Sequence, residues 1–164
     1  MMFYPETIPK PKRQKPRYVK PEAVQELERV ATAEARRQHP GNPYIIQRTF
    51  RDDTANGLTA CITAYLKLKG AFVSRVNNGG IYDKRLNRYR PGTNRKGLPD
   101  VICTWQSKSL MIECKIGRDK MSDAQQKIKQ EQEVSGGLYY VAHNFTEFKQ
   151  WFDNNVHLSP QTDN

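Results

Sequence analysis

The sequence predicts an α/β fold, a sandwich around a mixed central sheet with helices on both faces. Three observations carry that prediction. Leu58, Cys61, Ile62, Tyr65 and Leu66 recur at the i, i+3, i+4, i+7, i+8 spacing of one buried helical face. Residues 100–105 and 109–116 are apolar runs close enough in sequence to form a hairpin. Residues 138–142 form a short apolar run of the buried-strand type, set between two capped helical segments.

The elements follow in order. Pro21 suits the first turn of a helix, Glu22 and Glu26 suit its positive end, and Val24, Leu27, Val30 and Ala31 form a thin apolar stripe over 21–38. His39, Pro40, Gly41, Asn42 and Pro43 end it. The helix at 54–69 stops at Gly70, and 71–77 reads as a strand. A glycine-rich basic loop spans 77–99 before the hairpin strands. Ser122 opens a further helix with Gln125 three residues on, the pattern of a capping box, and Gly136 and Gly137 close it. Asn144 or Thr146 caps a last helix to about residue 154. The expected organisation is a flexible basic arm (1–20), a helical extension (21–50), a main domain (51–157) and a tail (158–164), without internal repeats.

A chain of 164 residues and 19.0 kDa makes one domain of ordinary size, with enough core to need no disulfide or zinc. Cys61, Cys103 and Cys114 form no CxxC pair and leave one thiol unpaired, which argues against a disulfide framework and against a thiolate zinc site. No apolar run approaches the roughly 20 residues of a membrane span, and 1–20 holds proline and charge where a signal peptide is apolar. The protein is expected to be soluble and intracellular. Its net charge of +10 and pI near 9.6 argue for a polyanionic partner, because such an excess otherwise brings only self-repulsion.

Asp100, Glu113 and Lys115 are the residues that suggest chemistry. Strand side chains alternate, so Glu113 and Lys115 share a face. A two-residue turn at Gln106 and Ser107 sets Asp100 opposite Glu113, whereas a four-residue loop over 106–109 sets it opposite Lys115. Either register keeps all three on one face; a three-residue loop would not, unless a bulge restored it. An ExK on a strand is usually a solvated surface. Here Leu110, Met111 and Ile112 lead straight into Glu113, and Pro99 holds Leu98 extended just before Asp100. Two carboxylates and an ammonium on one sheet face are costly unless partnered, and a hard cation such as Mg²⁺ relieves the repulsion with one or two carboxylates, water and substrate phosphate. That is equipment for metal-assisted phosphodiester hydrolysis.

GLPD at 97–100 followed by IECK at 112–115 resembles the PD-(D/E)xK nuclease signature. The stretch from about residue 54 to 152 is similar to the virus-type replication-repair (VRR-NUC) nucleases and their Holliday junction resolvase relatives, with KGAFVSRVN entering the first strand, MSDAQQ opening the later helix and GGLYYV as the last strand. The resemblance implies a restriction-endonuclease-like αβββαβ core and a Mg²⁺- or Mn²⁺-dependent endonuclease on DNA, frequently selective for branched structures, often a homodimer, and suited to phage or mobile-element recombination. It implies Asp100, Glu113 and the Cys114 main-chain carbonyl as metal ligands. Lys115 would orient the attacking water or stabilise the transition state, and Gln125 would match a glutamine beside the site. Gln125 reads equally well as the capping-box residue, and Gln126 also fits the role.

The sequence departs from the family at the first core helix, where many relatives place a glutamate; here only Asn56 and Thr59 occur, with Asp52 and Asp53 just upstream. Asp53 is a possible substitute; otherwise a second metal would bind weakly or not at all. Lys84, Arg85, Arg88, Arg90, Arg95 and Lys96, with Tyr82 and Tyr89 among them, suit phosphate contacts and base stacking in a loop that runs into Asp100. Arg75 and Asn77 lie at the same edge and read either as DNA contacts or as strand-end polar residues. His39, His143 and His157 have no ligand spacing, and Trp105, Trp151 and Phe152 read as packing, as do Cys103 and Cys114. Two rival readings are a DNA-binding module with a nuclease fold and no metal, and a sequence-specific restriction-type enzyme.

Overall fold

Leu58, Cys61, Ile62 and Leu66 are fully buried along one side of α2 (Ala55–Leu68), where their spacing puts them. Thr54 starts that helix by accepting a hydrogen bond from the Gly57 amide, one of the donors a helix start leaves open. The computed structural model describes residues 17–76, 81–90 and 95–157; the greater part of the predicted basic arm and the tail at 158–164 lie outside them.

Before α2 comes α1 (Glu22–Gln38); after it come β1 (Phe72–Arg75), the short strands β2 (Ile81–Asp83) and β3 (Arg88–Arg90), then β4 (Val101–Trp105), β5 (Lys108–Cys114), α3 (Asp123–Val134), β6 (Leu138–Ala142) and α4 (Phe145–Phe152), which runs into a π-helical turn at Asp153–His157. The main sheet has the order β1-β4-β5-β6. Its first three strands are antiparallel neighbours, and β6 is parallel to β5, with α3 as the crossover a parallel pair requires. The class is mixed α/β, as predicted. The basic stretch read as a loop differs, because β2 and β3 pair there as a separate two-stranded hairpin.

The register divides the sheet into two faces. Val101, Cys103 and Trp105 on β4 and Leu110, Ile112 and Cys114 on β5 point to one side, into a core shared with α1, α2 and α4. There Tyr65 meets Phe145, Phe148 and Phe152 edge-on, and Tyr140 stacks on Trp151. The other face, carrying Met111 and Glu113, lies under α3.

The sequence left open whether α1 packs on the core. Val24 and Leu27 are buried in it. The connection from α1 to α2 is tied down as well: the Phe50 amide donates to Glu28 Oε1 at 2.7 Å and the Arg48 amide to Thr32 Oγ1 at 3.0 Å. Asp52 accepts from the Tyr18 hydroxyl at 2.8 Å and from the Phe145 amide at 3.1 Å. No helix among the described residues is long and apolar enough to cross a membrane.

Candidate active site

Strands β4 and β5 are joined by a two-residue turn, Gln106 and Ser107, both with positive φ (45° and 60°). Val101 therefore pairs with Ile112, and the register carried one residue outward sets Asp100 opposite Glu113. Of the loop lengths the sequence allowed, the two-residue turn is the one found, and it leaves the two carboxylates on one face. The Cys114 amide donates to Asp100 Oδ2 at 2.8 Å, while the Asp100 carbonyl accepts from the Val76 amide at 2.8 Å. Asp100 is thus held between β1 and β5. A strand residue turns its N–H and C=O toward the same neighbour in an antiparallel pair, so the Cys114 carbonyl faces Asp100 too.

Glu113 and Lys115 are 4% and 7% exposed. Glu113 Oε1 receives Lys115 Nζ at 3.0 Å and Gln125 Nε2 at 2.6 Å. Gln125 is also the third residue of α3, where its Oε1 accepts from the Ser122 amide at 2.9 Å and its own amide donates to Ser122 Oγ. One end of the Gln125 amide thus caps the helix and the other donates to Glu113. Gln126 is exposed. Burial pushes the Glu113 carboxyl above the ordinary carboxylate range, and the Asp100 charge adds to this against the pull of Lys115 and Gln125. For Lys115, burial works against the charged form, but Glu113 and Asp119 outweigh it and raise the ammonium above its usual pKa.

Asp119, which the sequence reading missed, lies 3.4 Å from Lys115 Nζ. Its spacing four residues beyond Lys115 was the available signal, with no periodic element there to give that spacing meaning. Tyr139 was missed as well. It is buried on the Glu113 face of β6, and no residue pattern distinguishes it from a core tyrosine. His143 Nδ1 lies 3.2 Å from the Lys115 carbonyl, a structural contact as expected. Burial raises the thiols of Cys61 and Cys114 to about 12 and that of Cys103 to about 11, which makes all three inert core groups.

The carboxylates upstream of α2 are otherwise engaged. Asp53 is bound to Arg51 at 2.6 Å, Asp52 is buried in its own network, and Asn56 Oδ1 accepts from Arg75 Nη2 at 2.6 Å. Thr59 is buried, its hydroxyl bonded to the Ala55 carbonyl and beside the Cys114 thiol. Of the basic residues, Lys84, Arg85 and Arg88 are exposed on the β2–β3 hairpin, and Lys96 is exposed on the connection to β4. Arg90 lies in β3, and Asn77 lies outside the described residues. Arg95 is turned onto α3 and paired with Glu131 at 2.7 Å. Gly97 follows with φ +85° and no room for a side chain, since a Cβ there would sit 2.4 Å from the Ala124 carbonyl. That contact seats the end of the basic stretch on the start of α3, next to Gln125.

A hard cation needs oxygen donors that are not already used. Among the described residues, Asp100 Oδ1 and Glu113 Oε2 accept no hydrogen bond, and two carboxylates of this kind suit Mg²⁺ or Mn²⁺ completed by water and phosphate. No group of three or more histidine, cysteine, aspartate or glutamate ligands occurs among the described residues. The VRR-NUC domain family model matches residues 73–145, the stretch that holds Asp100, Glu113, Lys115 and Gln125. This segment is a VRR-NUC domain. The VRR-NUC domain is a nuclease domain of the PD-(D/E)xK type, so its function is DNA processing of the nuclease kind. No curated protein and no solved structure matches the chain.

Proposed function

We propose that the protein is a divalent-metal-dependent endonuclease that hydrolyses phosphodiester bonds in DNA, selective for branched substrates such as four-way junctions. The observation that carries this reading is the cluster of Asp100, Glu113, Lys115 and Gln125 inside the VRR-NUC domain, with Glu113 and Lys115 buried. On this reading the αβββαβ core is restriction-endonuclease-like, the main domain runs over 51–157 behind a basic arm and a helical extension, and two chains pair so that symmetric nicks open a junction.

Asp100 Oδ1 and Glu113 Oε2 would hold Mg²⁺ or Mn²⁺, with the Cys114 carbonyl. When bound, the cation supplies positive charge to the phosphate and acidifies water. The chain's own groups do the rest. The Cys114 amide fixes Asp100, and Gln125 fixes Glu113, so neither carboxylate must reorganise during the reaction. The Lys115 ammonium sits beside them as a point charge for the developing negative charge on the phosphate oxygens. Water oxygen bonds to phosphorus, the bond to the leaving sugar oxygen breaks, and the proton lost by water balances the one that oxygen gains. The exposed cations Lys84, Arg85, Arg88 and Lys96 would follow the DNA backbone by charge and shape rather than base sequence.

The engagement of Asn56 by Arg75 and of Asp53 by Arg51 favours a second reading, a DNA-binding module without catalysis. Cleavage of an end-labelled four-way junction and a matched linear duplex, in Mg²⁺ and then Mn²⁺, separates them. Paired nicks on the junction alone, abolished by Lys115→Ala, are expected. Cutting of both substrates removes the junction selectivity, and binding without cutting by the wild type selects the second reading.

A further inference from the structure

A groove of about 890 Å³ between α1 and α2 lies away from the face that carries Glu113. It exists because the helices present small residues to each other: Ala31 and Ala35 from α1, Ala60 and Ala64 from α2. Larger side chains there would have closed the gap. The rim is basic. Arg37, Arg48, Lys67 and Arg75 border it, and among the described residues Glu34 is the one carboxylate on it, its oxygens already bonded to Arg37 at 2.7 Å and to Gln38 at 2.9 Å. Arg48 stands on the extended segment pinned to α1 by Glu28 and Thr32, so that cationic wall is fixed in place.

Arg75 ties the groove to the catalytic end of the sheet. It is the last residue of β1 and pairs with Val101, the neighbour of Asp100. Whatever follows the rim from Lys67 to Arg75 therefore arrives at the end of β1 and the start of β4, beside Asp100. A net excess of cations above an apolar alanine floor, with Phe50 on the wall, matches a chain that alternates phosphates with ring faces. Like charge disfavours the other candidates: residues 10–15 of the chain's own arm carry Lys10, Lys12, Arg13 and Lys15, and a second copy carries +10.

We propose that the α1–α2 groove binds the phosphate backbone of one nucleic-acid strand and leads it to or from the catalytic face. This rests on the nuclease reading, and it adds a substrate preference: a duplex with a single-stranded tail, or a junction with an unpaired arm, should bind better than a blunt duplex.

The test uses the full chain with Ca²⁺ in place of Mg²⁺, and fluorescence anisotropy on a tailed duplex and a blunt duplex of the same paired sequence. Arg48 and Lys67 are exposed, and their side chains make no hydrogen bond or ion pair among the described residues. The double variant Arg48→Glu/Lys67→Glu should lose the preference for the tailed duplex by at least about tenfold, and Arg48→Gln/Lys67→Gln should lose part of it. The slope of log affinity against log salt on the tailed duplex should fall by roughly 1.4, the value for two single-strand phosphates. The glutamine pair carries the test should the glutamate pair melt early. Unchanged affinity and slope overturn the proposal. So does an equal loss on both duplexes, which would make the residues a general DNA surface. A change of oligomeric state in light scattering with DNA affinity intact assigns the groove to a second copy and also overturns it. The nuclease reading is judged separately, by whether Lys115→Ala binds a fully paired four-way junction yet cannot cut it and whether the groove variants still cut that junction.

Discussion

At Gln125 a single side-chain amide joins helix stability to the site. Its oxygen closes the capping box of α3 and its nitrogen donates to Glu113 at 2.6 Å. Gln125→Ala should therefore lower stability by about 1 kcal/mol, read by urea denaturation, and lower cleavage at least tenfold in the same preparation. A loss of stability with full cleavage would reduce Gln125 to a cap. Tyr139 makes the opposite case. Its hydroxyl is buried with no hydrogen-bond partner among the described residues, a condition that costs about 1–3 kcal/mol. Tyr139→Phe should raise stability by about 1 kcal/mol on denaturant titration. A fall instead would show that the hydroxyl has a partner in solution.

At the scale of elements, the β4–β5 hairpin decides the chemistry. The strand period is two, so a one-residue slip would move Glu113 and Lys115 to the core side and Ile112 and Cys114 to the other. The two-residue turn prevents that, although Gln106 and Ser107 are poor residues for positive φ. Asn-Gly is the pair such turns favour. The double substitution Gln106→Asn/Ser107→Gly should raise the melting free energy by about 1 kcal/mol while leaving the register, and hence cleavage, unchanged. Calorimetry checks the first part; lost cleavage would mean that the turn residues do more than set the register.

At the scale of the whole molecule, Glu28 joins α1, the segment before it and the connection to α2. It is buried, with Lys20 Nζ at 2.5 Å and the Phe50 amide at 2.7 Å. Burial alone would raise its pKa, but Lys20 and the Phe50 amide together bring it below the ordinary carboxylate value. A depressed carboxyl pKa contributes stability that is present above the unfolded value, about 4.3, and is lost as pH falls through the folded value. Glu28→Gln should thus cost roughly 2 kcal/mol at pH 7, and the gap to wild type should narrow steadily below about pH 4. Melting curves at pH 7 and pH 3.5 test it; a gap independent of pH would place the loss in packing rather than charge.

What could be read in advance was local. The 3.6-residue stripe of α2, the Ser122–Gln125 capping box, the alternation that joins Glu113 to Lys115 and a turn near Gln106 each depend on residues a few positions apart, and the described residues bear them out. The nuclease-type reading came from the same stretch, because GLPD and IECK lie close in sequence and across one hairpin. The tertiary structure alone decided the rest: the choice of the two-residue register, α1 in the core, the second bond of Gln125, the pairing of Arg95 with Glu131, and the engagement of Asp53 and Asn56 by arginines. Most of these join residues that are distant in sequence. Their partners are fixed by where α1, α2 and α3 settle against the sheet, and packing over the whole core sets those positions. A short-range pattern identifies a surface to be buried but carries no address for what will bury it.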